Sequence, residues 1–256
     1  MPDLEAEFRC YAELNDFLPQ GRKHAPFRYR FDGAPSVKDA IEAVGIPHTE
    51  VDLVLVDGES VGFDHHLRHG ERVAVFPMFE SLDISSLARL REIPLRSSKF
   101  VLDVHLSKLA RLLRMLGFDV LHKGDYDDLE IVAVSVAEAR IVLTRDRGLL
   151  KHKAVTHGYW VRSAQPRDQI AEVLARFDLY SQIAPFRRCM VCNGHIESID
   201  KSQAWDRLPE KTRRYYDEFY TCSDCHKLYW KGSHYRHMQA LVRRLGGGRK
   251  ALTEDA

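Results

Sequence analysis

The chain has 256 residues, of which 45% are hydrophobic and 29% charged, and its formal net charge is +1. This composition excludes a fibrous or disordered protein and is typical of a globular chain, and the length allows one large domain or two to three small ones. No apolar run reaches the roughly 18 residues that cross a bilayer, and the acidic N-terminus lacks the basic start of a signal peptide. We therefore expect a cytoplasmic protein with no membrane partner.

The first segment, residues 1–79, carries the signals of a small α/β module. Period-2 apolar patterns predict strands, Ser36 introduces a predicted helix with the sequence SVKDAIEAVG, and Asp57-Gly58 is a strong signal of a hairpin turn. The predicted strands are Glu7–Ala12, Phe27–Phe31, Val51–Val56, Ser60–Phe63 and Arg72–Phe76. Cys10 lies in the first of them and is expected to be a buried free thiol.

This order of elements and the stretch VDGESVGFDHHLRHGERVAVFP resemble the β-grasp, ubiquitin-like family, which includes the small sulfur carriers. Those carriers act through a C-terminal Gly-Gly, whereas here the strand continues into FPMFESLDISS. The resemblance implies the fold and a protein partner for the module, and the missing Gly-Gly argues against sulfur transfer. The glycine run at 246–248 instead begins a predicted flexible tail, 246–256.

Residues 80–98 are predicted to be a linker with a short helix that ends at Pro94. Strands then alternate with helices at the spacing of βαβ units, which predicts a parallel sheet over residues 99–181. The predicted strands are Lys99–Val104, Phe118–His122, Arg140–Thr144 and Gly158–Val161, and the predicted helices are Leu106–Leu116, Asp128–Ala139 and Pro166–Phe177.

Acidic residues recur at the ends of these elements. Asp103 and Asp146 follow apolar strands, and Asp128 begins a helix, where it could also act only as an N-cap. Asp125, Asp127 and Glu130 are lower-ranked alternatives or supplements to Asp128. Because the carboxyl ends of parallel strands meet at one sheet edge, the three carboxylates are expected to converge there. Such a cluster favours Mg²⁺ or Mn²⁺, and hence metal-assisted hydrolysis of a phosphodiester.

Basic residues near these acids are candidate phosphate contacts. Lys108, Arg111 and Arg114 share a face of the helix that follows Asp103, although a solvated face is an equal alternative. Arg145 is adjacent to Asp146 and is well placed to orient a carboxylate or to bind a phosphate.

Three of these stretches, KFVLDVHLSKLARLLRMLGFDV, DYDDLEI and RIVLTRDRGLL, resemble the PIN-like ribonuclease domain known as the Mut-seven C-terminal RNase domain, over about residues 98–240. The resemblance implies a PIN-type α/β fold and metal-dependent RNA cleavage, with Asp103, Asp128 and Asp146 at the acidic site. Such sites often use a fourth acid, which the sequence does not place. PIN-like domains often pair, so a homodimer is an open alternative.

Two Cys-x-x-Cys pairs predict a structural zinc site and a zinc ribbon over residues 182–245. Four thiolates suit tetrahedral Zn²⁺ with no open position, and the residues between the pairs can form a helical insertion. Zinc binding would also supply folding free energy to a segment with little core. The four candidate ligands are Cys189, Cys192, Cys222 and Cys225.

The C-terminal segment also favours an RNA partner. Residues 182–250 contain 14 Lys and Arg against 7 Asp and Glu, and CHKLYWKGSHYRHM mixes aromatic with basic residues. Trp230, Lys231 and His234 are therefore candidate RNA contacts, and the alternative is an aromatic cap packed over the zinc. The whole pattern predicts a metal-dependent ribonuclease, and the alternative is a non-catalytic RNA-binding or adaptor protein that uses the zinc ribbon and the β-grasp module.

Overall fold

The computed structural model describes residues 4–77 and 98–246. The chain divides into two compact units: the described residues of 1–97 together with 132–160, and 98–131 together with the described residues of 161–256. The predicted linker lies outside the described residues except for Ser98, and so does the predicted tail after Gly246. Within the described ranges, no helix is long and apolar enough to cross a membrane.

The N-terminal part of the first unit is a five-stranded sheet with one helix. Its strands are β1 (Leu4–Cys10), β2 (Phe27–Phe31), β3 (Val51–Val56), β4 (Glu59–Ser60) and β5 (Arg72–Pro77). They lie in the order β2-β1-β5-β3-β4, in which β1 and β5 are parallel and the other neighbours antiparallel. This mixed sheet confirms the predicted β-grasp fold.

Local chemistry sets the limits of the helix in this module. Helix α1 (Val37–Val44) begins after Ser36, whose hydroxyl accepts a hydrogen bond from the Asp39 amide, and it ends at Gly45. Gly45 has φ +114°, a left-handed conformation that glycine adopts at little cost. The predicted helix is confirmed.

Strands β1 and β4 differ most from the prediction, and β5 ends one residue later, at Pro77. The chain turns at Ala12, which has φ +46°, so β1 ends at Cys10 and Ala12–Phe17 forms a 3-10 helix. The Asn15 amide donates to the carbonyls of Cys10 (3.1 Å) and Ala12 (2.9 Å) and stabilises that turn. Strand β4 covers only Glu59–Ser60.

The module has an apolar core between its sheet and helix. Phe8, Leu14, Ile41 and Val75 are each at most 1% exposed. Cys10 is also buried, as predicted. Burial of such side chains is the main stabilising contribution in a module of this size.

Strands and helices alternate in the central part of the chain, as predicted. The strands are β6 (Lys99–Leu102), β7 (Asp119–Leu121), β8 (Ile141–Thr144) and β9 (Gly158–Trp160), and the helices are α2 (Ser107–Met115), α3 (Asp128–Ala137), α4 (Arg147–Leu150) and α5 (Pro166–Arg176). Strands β6 and β7 pair in parallel in the second unit, and β8 and β9 pair in parallel in the first. The parallel arrangement is confirmed.

The structure shortens the predicted elements and adds one. Strand β6 ends at Leu102 because Asp103 caps a 3-10 helix, Val104–Leu106, that leads into α2. Helix α4, which was not predicted, begins after Asp146, whose side chain accepts a hydrogen bond from the Gly148 amide. An Asp at a strand end therefore starts a helix at both positions.

The second unit has a core of its own around aromatic residues. The Phe100 ring lies 6.4 Å from that of Phe118 and 5.7 Å from that of Phe177, both edge-to-face. Helix α2 packs on α5, and their buried positions include Leu113 and Ile170.

The C-terminal part of the second unit is a three-stranded antiparallel sheet, β10 (Ile196–Ile199), β11 (Phe219–Cys222) and β12 (Leu228–Trp230). Two short helices, α6 (Lys201–Ala204) and α7 (Glu210–Tyr215), lie between β10 and β11, which confirms the helical insertion. A final helix, α8 (Ser233–Gly246), was not predicted.

Candidate functional site

Four cysteine sulfurs come together in the second unit. The Sγ atoms of Cys189 and Cys225 are 3.6 Å apart, those of Cys192 and Cys222 are 3.4 Å apart, and all four lie within 4.8 Å of one another. Across residues 4–77 and 98–246, no other group of three or more His, Cys, Asp or Glu donors meets that spacing. Four sulfur donors with this spacing fit a structural Zn²⁺.

The local backbone explains how each Cys-x-x-Cys pair folds into a knuckle. Asn193 and His226, which directly follow the two pairs, have φ of +78° and +58°. A Cβ at Gly194 would lie 2.6 Å from the Asp224 carboxylate and 2.8 Å from the Cys222 sulfur. Only glycine therefore fits where the two knuckles meet.

Hydrogen bonds prepare Cys189 to act as a thiolate. Burial alone raises the pKa of the Cys189 thiol, but hydrogen bonds from the Tyr229 hydroxyl and from backbone amides outweigh burial and lower that pKa to about 6. The Tyr229 oxygen is 3.0 Å from the Cys189 sulfur. The same contact, together with burial, raises the pKa of Tyr229, so the hydroxyl keeps its proton and donates.

Arg114 connects the first knuckle to the parallel strands. Its side chain is buried, with Nε donating to the Val120 carbonyl (2.9 Å) and Nη1 to the Val191 carbonyl (2.7 Å). Burial lowers the pKa of Arg114, and the charges of Cys189 and Cys192 oppose that shift. Neither of the two alternatives for the basic face, phosphate contact or a solvated surface, therefore describes Arg114, because its guanidinium is buried and holds the knuckle.

A second connection runs through Asn193. Its Oδ1 accepts from the Val120 amide at 2.9 Å, and its Nδ2 donates to Asp119 at 2.9 Å. Arg188 also pairs with Asp119 at 3.3 Å. The first knuckle is thus attached by polar contacts to strand β7 in the second unit.

Beside this cluster lies an apolar cleft of about 230 Å³, which we call the aromatic cleft. Trp230 and Lys231 line it, which places two of the predicted RNA contacts together, whereas His234 is exposed on α8 and does not line it. Lys231 forms an ion pair with Glu218. The other lining residues are Met115, Pro185, Phe186, Arg188, Met190, Ile196, Tyr220, Tyr229, Tyr235 and Met238.

The three predicted acidic residues occupy different local settings. Asp103 is only 5% exposed, and its Oδ1 accepts from the His105 amide at 2.8 Å. Asp127, not Asp128, caps α3: its Oδ1 accepts from the Glu130 amide at 2.8 Å, and the Glu130 carboxylate accepts from the Asp127 amide at 2.9 Å. This capping box leaves the Asp128 side chain exposed to solvent.

Asp146 is held tightly at the start of α4. Its Oδ1 accepts from the Gly148 amide at 2.7 Å, and its own amide donates to Thr144 Oγ1 at 2.8 Å. Asp103 and Asp128 belong to the second unit and Asp146 to the first, so their joint coordination of one ion stays a prediction. The candidate phosphate contacts Lys108, Arg111 and Arg145 are all exposed.

His122, which follows β7 in the second unit, is a candidate site residue that the sequence pattern alone did not single out. Burial lowers the pKa of His122, while a hydrogen bond to the Val104 backbone and the charge of Asp103 raise it. The signal was available, because His122 lies at the carboxyl end of a strand parallel to the one that precedes Asp103.

The fold and the cysteine cluster define a class of protein: a ubiquitin-like module joined to a parallel α/β domain with four cysteines that could hold a metal ion. Within that class, the chain belongs to the Mut7-C RNAse domain family, whose model matches residues 98–242. A second family model, described as Mut7-C ubiquitin, matches residues 3–83. Both predicted resemblances are confirmed, with the ubiquitin-like domain preceding the RNAse domain along the chain. The family indicates a ribonuclease-like function.

No curated protein matches the chain. Among solved structures, the crystal structure of SAMP1 from Haloferax volcanii is 23% identical to this chain, covering 30% of this chain and 99% of its own. Its TM-score is 0.25, and a likeness at that level carries no argument about this chain.

Proposed function

We propose that the chain is a metal-dependent ribonuclease that hydrolyses phosphodiester bonds of single-stranded RNA. The observation that carries this proposal is the match of residues 98–242 to the RNAse family, within which the buried carboxylate of Asp103 follows a parallel strand. A carboxylate at the carboxyl end of such a strand lies where open α/β folds place their active sites.

Asp103, Asp128 and Asp146 are the proposed ligands of the catalytic metal. Carboxylate oxygens are the donors that Mg²⁺ and Mn²⁺ prefer, and the Asp128 side chain fits this role because Asp127 does the capping. The divalent ion would supply positive charge to a phosphoryl oxygen and lower the pKa of a water molecule. The preferred ion is left open between Mg²⁺ and Mn²⁺.

The chain's own cations would hold the phosphates. Lys108 and Arg111 are exposed on α2, one and two turns after Asp103, and Arg145 is exposed beside Asp146. Their charges would stabilise the phosphate in the transition state more than in the ground state, where the negative charge is less concentrated.

The aromatic cleft would hold an unpaired base of the RNA. Bases stack on aromatic rings whatever their identity, and this favours single strands, whose bases are accessible. The sequence near the cleft suits a polyanion, because the described residues from 225 to 246 include no Asp or Glu and α8 carries three arginines. His234, on the same helix, would then contact phosphate at the margin of the cleft.

A cleavage assay tests the proposed chemistry. Labelled single-stranded RNA is incubated with wild type, Asp103→Asn and Asp146→Asn, each with Mn²⁺, with Mg²⁺ and with EDTA. We expect metal-dependent cleavage by wild type and a loss of roughly a hundredfold or more in both variants, because each removes charge from the metal site. Asp178→Asn is the matched control, since Asp178 is exposed, lies outside the proposed site and has φ +43°, which Asn tolerates.

The same assay separates the nuclease from the adaptor alternative. If all proteins bind RNA and none cuts, the proposal is wrong and the chain is an RNA-binding adaptor. If wild type and both variants cut equally, the acids are not the catalytic ligands.

A binding assay tests the cleft separately. Trp230→Ala should weaken RNA affinity by roughly five- to a hundredfold, which is the usual loss for one stacked base. Trp205→Ala is the control, because Trp205 is 45% exposed in the same unit and does not line the cleft. Equal RNA affinities of the two variants would show that the cleft does not bind RNA.

A further inference from the structure

The ubiquitin-like module has a polar contact surface that its own fold does not require. His48, Thr49 and Glu50 form a 3-10 helix just before β3, and all three are at most 5% exposed. Buried polar side chains cost free energy unless they are hydrogen-bonded, so three in succession call for a specific neighbour.

That neighbour is the stretch of chain that follows Asp146. We call residues 147–160, from α4 through β9, the α4–β9 segment. It belongs to the same compact unit as the module. Hydrogen bonds join the two, among them His48 Nε2 to the Val155 carbonyl (2.9 Å), Thr49 Oγ1 to the Leu150 carbonyl (3.4 Å), the Trp160 amide to Glu50 Oε1, and Lys151 Nζ to the Glu42 carbonyl (2.9 Å).

The chemistry of these bonds is specific on both sides. His48 also contacts Glu42 through Nδ1 at 2.6 Å, which fixes the orientation of the imidazole ring. Lys151 reaches the Glu42 carbonyl near the C-terminus of α1, where the helix dipole makes a cation favourable. Val155, whose carbonyl accepts from His48, is completely buried.

Aromatic contacts hold the beginning of the α4–β9 segment. The Arg147 guanidinium lies 3.8 Å from the centre of the Trp160 ring and 5.0 Å from that of Phe17, a residue of the module. The Phe17 and Trp160 rings are themselves 5.2 Å apart. Arg147, directly after Asp146, thus contacts both rings, one in the module and one in the segment.

We propose that the ubiquitin-like module is an internal clamp on the α4–β9 segment and that it positions Asp146. Asp146 is the N-cap of α4, so anything that fixes α4 and β9 also fixes the direction of its carboxylate. His48 and Glu50 are then positioning residues that act through Asp146. The second part of the inference rests on the proposed function, while the clamp itself does not.

Hydrogen exchange of the full-length chain tests the clamp without any RNA. His48→Leu removes the bond to Val155, and Glu50→Gln is the gentler variant that keeps shape but weakens the bond to Trp160. We expect amides of the α4–β9 segment to exchange about tenfold faster or more in both variants, with β1 and β2 changed much less. Val37→Ala is the control, because it leaves a cavity in the module core away from the clamp.

Steady-state cleavage tests the positioning of Asp146. We expect both clamp variants to lower kcat several-fold at nearly constant KM, and Val37→Ala to keep kcat at temperatures well below its melting point.

Unchanged hydrogen exchange in both variants, or a rise shared equally by β1 and β2, overturns the clamp. Faster segment exchange with kcat unchanged overturns the positioning role alone. If wild type cuts no RNA, the proposed function fails together with the role assigned to Asp146, and the exchange result still decides the clamp.

Discussion

Arg114→Met should destabilise the second unit by at least about 3 kcal/mol, the lower limit for the loss of two hydrogen bonds from a charged group. Two of the Arg114 bonds are short, 2.9 Å to the Val120 carbonyl and 2.7 Å to the Val191 carbonyl, and a hydrogen bond from a charged group contributes about 1.5–3 kcal/mol. Methionine keeps the apolar stem but leaves both carbonyls without their donor. The two longer contacts, at 3.4 and 3.5 Å, should add little.

The matched control is Arg111→Met, on the same helix but exposed. Urea unfolding of the zinc-loaded proteins, followed by circular dichroism, compares the two variants, and thermal scans should show a drop of roughly 6–12 °C for Arg114→Met alone. A chromogenic chelator should also take zinc from this variant faster, because the guanidinium holds the first knuckle. If the two variants unfold within about 0.5 kcal/mol of each other, the Arg114 bonds do not stabilise the fold and the reasoning is refuted.

Three further outcomes are expected. Gly117→Ala should lower the free energy of unfolding by well over the roughly 1–2 kcal/mol that left-handed strain costs. Its φ is +98°, and in addition a Cβ would lie 2.2 Å from the Ala184 carbonyl oxygen. Gly58→Ala is the control, because Gly58 has φ +91° and open space around it, so its loss of stability in thermal unfolding should reflect the strain alone. Equal losses of stability in the two variants would contradict a clash at Gly117. Metal analysis should find one zinc per chain in wild type and less in Cys222→Ser, and a melting temperature unaffected by zinc removal would contradict a structural role. Burial raises the pKa of Cys10 from 9.0 to about 12, so alkylation at pH 9 should require unfolding. Since the unfolded thiol ionises first, this group's contribution to stability is present below pH 9 and falls as the pH rises toward 12.

Signals that depend on residues close together in sequence were sufficient to predict much of the local structure of this protein. Ser36 and Gly45 bound a helix, Asp57-Gly58 makes a hairpin turn with both residues at positive φ, and the Cys-x-x-Cys spacing places sulfurs that meet in space. Each depends on backbone conformation or on ligands a few residues apart. The alternation of strands and helices likewise predicted the parallel pairs.

Other features depend on partners that are distant along the chain. The periodicity of α2 placed Arg114 on a basic face, but its guanidinium is satisfied by carbonyls of β7 and of the first knuckle. The burial of His48 and Glu50 likewise requires the α4–β9 segment, more than 100 residues later. Sequence determines which side chains can donate, accept or carry charge, whereas only the tertiary structure decides which partner reaches them, because desolvation and hydrogen-bond geometry depend on the whole surrounding chain.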